Sequence, residues 1–116
     1  MKREFEISPS HVPARVRLAE EYLKEGQIDQ GLALAAEALK LAPKDASASM
    51  VLGEGLVAKG DIEGGIRELE SARDLSPENV RVRWDLVRAY TSAGRGVEAA
   101  REKEAIAKLD QHSEQR

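Results

Sequence analysis

The chain has 116 residues, of which 41% are hydrophobic and 34% charged, and its formal net charge is -3. This length suits one domain with a modest core, and the composition excludes both a disordered chain and a membrane-embedded one. The small net charge argues against a nucleic-acid binder, which needs an excess of Lys and Arg to neutralise phosphates. Cysteine is absent, which excludes disulfides and thiolate metal sites. Acidic residues near the start argue against a signal peptide and favour the cytoplasm.

The sequence repeats with a period of 34 residues. When it is written in blocks of this length, Leu18, Leu52 and Leu86 fall into one column. Three further columns are equally clear, and they contain Gly26, Gly60 and Gly94; Leu41, Leu75 and Leu109; and Pro9, Pro43 and Pro77. Four aligned columns indicate a true internal repeat.

Each block predicts two helices, because apolar residues recur at helical spacing on both sides of the glycine column. A glycine at that place ends the first helix, where positive φ is common. The proline column stops the second helix. Asp29, Asp61 or the short stretch nearby is expected to open the second helices, and Asp45 and Asn79 are predicted N-caps of first helices. The fold class is therefore all-α, built from helical hairpins.

The period divides the chain into three full repeats, at residues 12–45, 46–79 and 80–113. Residues 1–11 match the end of a partial repeat, and residues 114–116 form a polar tail. We expect one domain of 116 residues, and the partial repeat, with its apolar Phe5 and Ile7, suggests a segment of a longer array.

The columns resemble those of the tetratricopeptide repeat (TPR) family. Gly53 follows Leu52 as the family pattern requires, and Tyr22 and Tyr90 occupy its tyrosine column. The family resemblance implies a right-handed superhelical solenoid of antiparallel helix pairs, with the first helices lining a concave groove.

The sequence also departs from the family pattern. The tryptophan column holds Arg15, Ser49 and Arg83, and Gly31 replaces an alanine in the first repeat, where we expect thin packing. Lys103 stands in the phenylalanine column, so we expect it to be a polar end-cap of the solenoid.

The resemblance implies a set of residues that line the peptide groove. Val16, Met50 and Trp84 would form an apolar ladder with Trp84 as the main anchor, although core packing explains such residues equally well. Arg81 and Arg88 would pair with a carboxylate of the ligand, while Glu20 and Glu54 would favour basic residues further along it. A ligand of mixed charge is therefore expected, and a substitution of Arg73, on the outer surface, would serve as the control. The full set of expected groove residues is Val16, Glu20, Leu23, Met50, Glu54, Val57, Arg81, Trp84 and Arg88.

One subtype of the family clamps a C-terminal carboxylate of a chaperone with Lys, Asn and Arg side chains. The corresponding positions here hold Val16, Glu20, Val51, Arg81 and Asp85. Since only Arg81 is basic, the sequence argues against this clamp.

Signals for catalysis, cofactors and metals are weak. His11 and His112 lie at opposite ends of the domain, and no glycine-rich phosphate loop occurs. Glu20 and Glu54 occupy equivalent positions of neighbouring repeats, so we expect them about 10 Å apart on a solvated surface, beyond the reach of paired acid catalysis. No enzyme activity and no cofactor are expected.

The leading hypothesis is a non-catalytic protein–protein interaction module, a scaffold or adaptor that binds a peptide or partner helix. One alternative is a non-catalytic segment of a longer enzyme or of a secretion or assembly protein. Another is self-association into a homo-oligomer through the apolar partial repeat at residues 1–11. Nucleic acid and membranes are not expected as partners.

Overall fold

The computed structural model describes residues 11–114, and these fold into six α-helices. Neighbouring helices pack as antiparallel pairs, which confirms the all-α prediction. The helices are α1 (Val12–Lys24), α2 (Ile28–Leu41), α3 (Ala46–Lys59), α4 (Ile62–Leu75), α5 (Val80–Ser92) and α6 (Gly96–Glu114). The predicted partial repeat at the start of the chain lies outside the described residues.

Side-chain caps set the beginnings of four of the six described helices, and at α1 the cap is His11, whose Nδ1 accepts from the backbone N–H of Ala14 at 3.2 Å. Asp45, Asp61 and Asn79 each accept a hydrogen bond from the backbone N–H three residues further on, at 3.0, 3.0 and 3.3 Å. Such caps satisfy amides that have no partner within the helix. The predicted roles of all three residues are confirmed. Asp29 does not have this role, because it lies inside the first turn of α2, and Gln27, which precedes that helix, makes no such bond.

The turns inside the hairpins depend on glycine. Gly26, Gly60 and Gly94 have φ of 81°, 104° and 76°, a region that other residues rarely adopt. The predicted helix ends at this column are therefore confirmed.

Packing in the first repeat is close, so the prediction of thin packing there was wrong. A Cβ atom added at Gly31 would lie 2.7 Å from a methyl carbon of Leu23 and 3.1 Å from the carbonyl oxygen of Ala19. The missing methyl group is thus replaced by a closer approach of α2 to α1, and no gap is left.

The helix array curves toward its first helices. Cα atoms of α1 and α3, and of α3 and α5, come within 8 Å of each other, whereas within residues 11–114 those of α2 and α4, or of α4 and α6, do not. The first helices are therefore closer together than the second helices. We call the surface shared by α1, α3 and α5 the inner face.

Among the described helices, the backbone of α6 comes within 8 Å of α5 alone, counted between Cα atoms. Lys103 lies on α6 and is exposed, as expected for a polar residue on a helix with one neighbour.

Candidate functional site

The side chain of Arg81 joins the three first helices across the inner face. Its Nη1 lies 2.7 Å from a carboxylate oxygen of Glu20 on α1. Its Nη2 and Nε donate to the two carboxylate oxygens of Glu54 on α3, at 2.9 and 3.0 Å. A two-pronged bond of this kind fixes the guanidinium plane. One residue of the third repeat thus ties together the first and second repeats.

Glu20 and Glu54 are closer than expected from their equivalent repeat positions. Both contact the same guanidinium, and most of the surface of each side chain is buried. The expectation of two separate carboxylates on a solvated surface was wrong, because it placed each side chain from its own helix alone. The long side chain of Arg81, which reaches from α5 to both α1 and α3, brings them together.

Glu54 and Asp85 form an acidic pair on the inner face. Burial and, after it, the neighbouring Asp85 carboxylate raise the pKa of Glu54 to about 8, while Arg81 opposes the shift. Two carboxyl groups at close range do not readily ionise together. The pair of Glu54 and Asp85 therefore favours one shared proton over two negative charges.

A cleft of about 230 Å³ opens beside this acidic pair, between α3, α4 and α5. Val57, Ala58 and Leu69 form its apolar wall, and the charged residues at its edge are Glu54, Asp85 and Arg88. Arg88 forms an ion pair with Asp85 at 2.5 Å and is otherwise 69% exposed. The cleft is thus lined by both acidic and apolar residues.

Two sequence profiles of the tetratricopeptide repeat match this chain. One covers residues 56–116, which is more than half of the chain, and the other covers residues 16–64. The protein belongs to the tetratricopeptide repeat family. This confirms the family resemblance of the sequence columns. A search of curated proteins finds no significant match.

Solved TPR structures share this fold. MamA from Desulfovibrio magneticus RS-1, residues 41 to the end, is 26% identical with a TM-score of 0.83, and the match covers 90% of this chain and 59% of that one. The chain thus spans less than two thirds of that MamA structure. The second TPR of Spaghetti (RPAP3), bound to the HSP90 peptide SRMEEVD, is 14% identical with a TM-score of 0.79, covering 84% and 91%. A monomeric mutant of IFIT1 with Gppp-AAAA is 20% identical, also at 0.79, covering 84% and 26%.

The three members of the expected apolar ladder differ in exposure. Val16 and Met50 are buried in the core of the TPR array, whereas Trp84 is 43% exposed. Trp84 lies on α5 one turn after Arg81 and one turn before Arg88, which places it on the same side of that helix. An accessible ladder of three residues is therefore not present, and Trp84 alone offers a large apolar surface.

The remaining expected groove residues are distributed over the same three helices. Leu23 and Val57 are half-buried and pack against the core. Arg81 is already engaged by Glu20 and Glu54, so a ligand carboxylate would compete with two internal partners for it. Arg88 has only Asp85 as an ion-pair partner among the described residues.

The sequence expectations missed Asp85 as a component of the site. From the sequence, Asp85 was noted only as a residue that does not match the chaperone clamp. The available signal was its position on α5, four residues after Arg81 and three before Arg88, which places all three on one side of the helix. A buried carboxylate at that place required a partner, and the nearest candidates lay on α3.

The outer side of the TPR array carries a second ion-pair network. The buried carboxylate of Glu102 on α6 contacts Arg73 of α4 at 2.6 Å and Arg83 of α5 at 2.8 Å. Arg73 was expected on the outer surface as an independent control residue, but it connects the second and third repeats. Its place on the outer side is as expected, but a substitution of Arg73 would also change stability, so Arg73 is not a neutral control. The ion pair of Arg83 with Glu102 explains how an arginine is accommodated at a position where the family pattern has tryptophan.

The described part of the chain, residues 11–114, contains no group of three or more His, Asp or Glu side chains that could hold a metal ion. None of the six described helices is long and apolar enough to cross a membrane.

Proposed function

We propose that this protein is a protein–protein interaction module that holds a peptide or a partner helix against its inner face and has no catalytic activity of its own. TPR modules generally mediate protein–protein interactions, and the structure of the second TPR of Spaghetti (RPAP3) is bound to an HSP90 peptide. This bound structure supports a peptide or protein as the class of ligand for this chain.

The exposure of Trp84 is the observation that carries the proposal. Large aromatic side chains dominate the binding energy of many interfaces, and an exposed tryptophan loses contact with water when a partner covers it. Trp84 stands between two arginines on the inner face, and apolar anchors with a polar rim are typical of peptide interfaces. Its surface is large enough to anchor one apolar side chain of a ligand.

The test begins with selection of ligands from a random dodecapeptide library displayed on phage. Selected peptides would be synthesised with a fluorescent label, and their dissociation constants measured by anisotropy. We expect Trp84→Ala to weaken binding by at least about ten-fold, equivalent to 1.4 kcal/mol. The intrinsic fluorescence of Trp84, the only tryptophan, should also change when a peptide binds.

Val97→Ala is the matched control, because Val97 is an exposed apolar residue on α6, outside the inner face. This variant should bind the peptides like the wild type. Failure to select any peptide, or equal affinities of the two variants, would contradict the proposal. Circular dichroism of both variants would establish that the helices are intact.

A further inference from the structure

The cleft between α3, α4 and α5 has features of a side-chain pocket that the proposed function does not explain. Trp84 is not among the residues that line the cleft. The carboxyl groups of Glu54 and Asp85 are among them. Its wall consists of Val57, Ala58 and Leu69, which are apolar. A ligand that fits must therefore combine an apolar stem with a polar or charged end.

Asp85 provides an independent indication that the cleft suits a hydrogen-bond donor. The side chain of Asp85 is only 9% exposed, its Oδ2 atom is buried without an N–H or hydroxyl donor among residues 11–114, and the nearby acidic group that hydrogen-bonds to it is the Glu54 carboxyl group. Its other oxygen, Oδ1, is held by Arg88. A buried carboxylate oxygen without a donor is destabilising, so a donor that reaches it gains a strong, charge-assisted bond.

We propose that this cleft binds the side chain of a lysine from the partner polypeptide, with the ammonium group between Asp85 and Glu54 and the methylene stem against Val57, Ala58 and Leu69. This proposal rests on the proposed function and adds the class of residue that the partner must supply. A lysine fits better than an arginine, because its compact ammonium ends a long apolar stem, whereas a guanidinium is broad and planar.

Arg88 must release Asp85 before an ammonium takes its place, because Arg88 holds the Oδ1 atom of that carboxylate. Arg88 can do so, since it is mostly exposed and holds its place by one ion pair with the neighbouring turn of the same helix. In the free protein, Arg88 is thus an internal competitor for Asp85. Removal of its charge should strengthen the binding of a cation.

Binding of the ammonium also displaces a proton from the acidic pair. In the free protein Glu54 has a raised pKa, about 8, and the charged groups around it are Glu20 from α1 and Arg81, Asp85 and Arg88 from α5, while α4 contributes only Leu69 to the cleft. A second positive charge beside Glu54 favours its ionised form. Affinity should therefore rise as the pH increases toward 8, by at most about ten-fold per pH unit, and level off above it.

The direct test uses n-butylammonium as a probe, since it reproduces the end of a lysine side chain. Titration into ¹⁵N-labelled protein at pH 7.5 should give saturable shifts of the amides of Val57, Ala58 and Asp85. The neutral probe 1-butanol, of equal size, should bind at least ten-fold more weakly. Equal shifts for the two probes would overturn the proposal.

Variants separate the pocket from general charge effects. Asp85→Asn should weaken n-butylammonium binding at least ten-fold, and Arg88→Gln should strengthen it, while Asp110→Asn, at an exposed carboxylate on α6, should leave it unchanged. Glu54→Gln should remove the pH dependence of binding. An Asp85→Asn protein that binds like Asp110→Asn, or weaker binding by Arg88→Gln, would contradict the proposed site.

The peptides selected from the phage library provide a second test of the lysine pocket. We expect a lysine among their shared residues, and its replacement by norleucine should lower affinity at least ten-fold in the wild type but little in Asp85→Asn. If peptides bind through Trp84 without such a lysine, the cleft proposal fails and the proposed function stands. If no peptide binds the inner face, the proposed function fails, and the n-butylammonium titration still tests the cleft.

Discussion

At the scale of single residues, the environment of Glu54 is the most unusual in the molecule. Its carboxyl group is mostly buried and receives two hydrogen bonds from Arg81, yet its pKa is raised to about 8 because burial and the Asp85 carboxylate outweigh that arginine. A group of this kind couples the protonation state to folding as well as to ligand binding.

The raised pKa of Glu54 predicts that the stability of the protein falls as the pH rises from about 5 to 8. In this range the folded protein keeps a proton on Glu54, whereas the unfolded chain, with the ordinary pKa of 4.5, has lost it. The folded state thus binds more protons, and stability declines by at most about 1.4 kcal/mol per pH unit. Urea unfolding at several pH values would measure this slope.

Glu54→Gln removes the titrating group, so the decline between pH 5 and 8 should become shallower. Glu104→Gln, at an exposed position on α6, is the control and should retain the wild-type slope. A slope that is identical in all three proteins would show that Glu54 is ionised throughout this range.

At the scale of helices, close approach of backbones replaces large side chains in the second repeat. A Cβ added at Gly65 of α4 would lie 2.9 Å from the carbonyl oxygen of Gly53 on α3, and it would also overlap the side chain of Val57. Carbonyl oxygens and backbone atoms cannot yield as a flexible side chain can. The glycines at this crossing are therefore required by the packing of α3 against α4.

Gly65→Ala should lower the free energy of unfolding by about 1 to 3 kcal/mol, because the added methyl group forces the two helices apart. Gly96→Ala is the matched control. A Cβ at Gly96 meets no atom within 4 Å, and alanine favours the helix, so stability should stay equal or rise by up to about 1 kcal/mol. Urea denaturation of both variants checks this, and a Gly65→Ala protein as stable as Gly96→Ala would contradict the packing argument.

At the scale of the whole molecule, burial within one repeat column increases along the array. Leu18 in the first repeat is 38% exposed, whereas Leu86 in the third is 0% exposed. The reason is that α3 and α5 each pack on the second helix of the preceding repeat, whereas no preceding helix packs on α1 within residues 11–114. Equivalent residues of different repeats therefore contribute differently to the free energy of unfolding.

This gradient predicts unequal effects of one substitution at two equivalent positions. Leu86→Ala should destabilise the protein by about 2 to 5 kcal/mol, the usual range for a buried leucine. Leu18→Ala should change stability by less than about 1 kcal/mol, because much of its surface already faces solvent. Thermal or urea unfolding of both variants gives the comparison, and similar losses would show that α1 is covered on that side.

Much of the fold could be predicted from the sequence because it depends on local chemistry. The caps at Asp45, Asp61 and Asn79 bond to amides only three residues away, so their role follows from neighbouring residues. The 34-residue period then determines the number and order of the helix pairs described here. Less of the candidate site could be predicted, since side chains of different repeats meet there.

The sequence by itself determined an all-α array of helical hairpins and its membership of the TPR family. Only the tertiary structure decided that Val16 and Met50 are buried while Trp84 is accessible, that Arg81 joins Glu20 to Glu54, and that Asp85 borders a cleft. The physical reason is that hydrogen bonds within a helix or turn span a few residues. Contacts between repeats depend on how the helices cross, which small changes in packing at residues such as Gly31 alter.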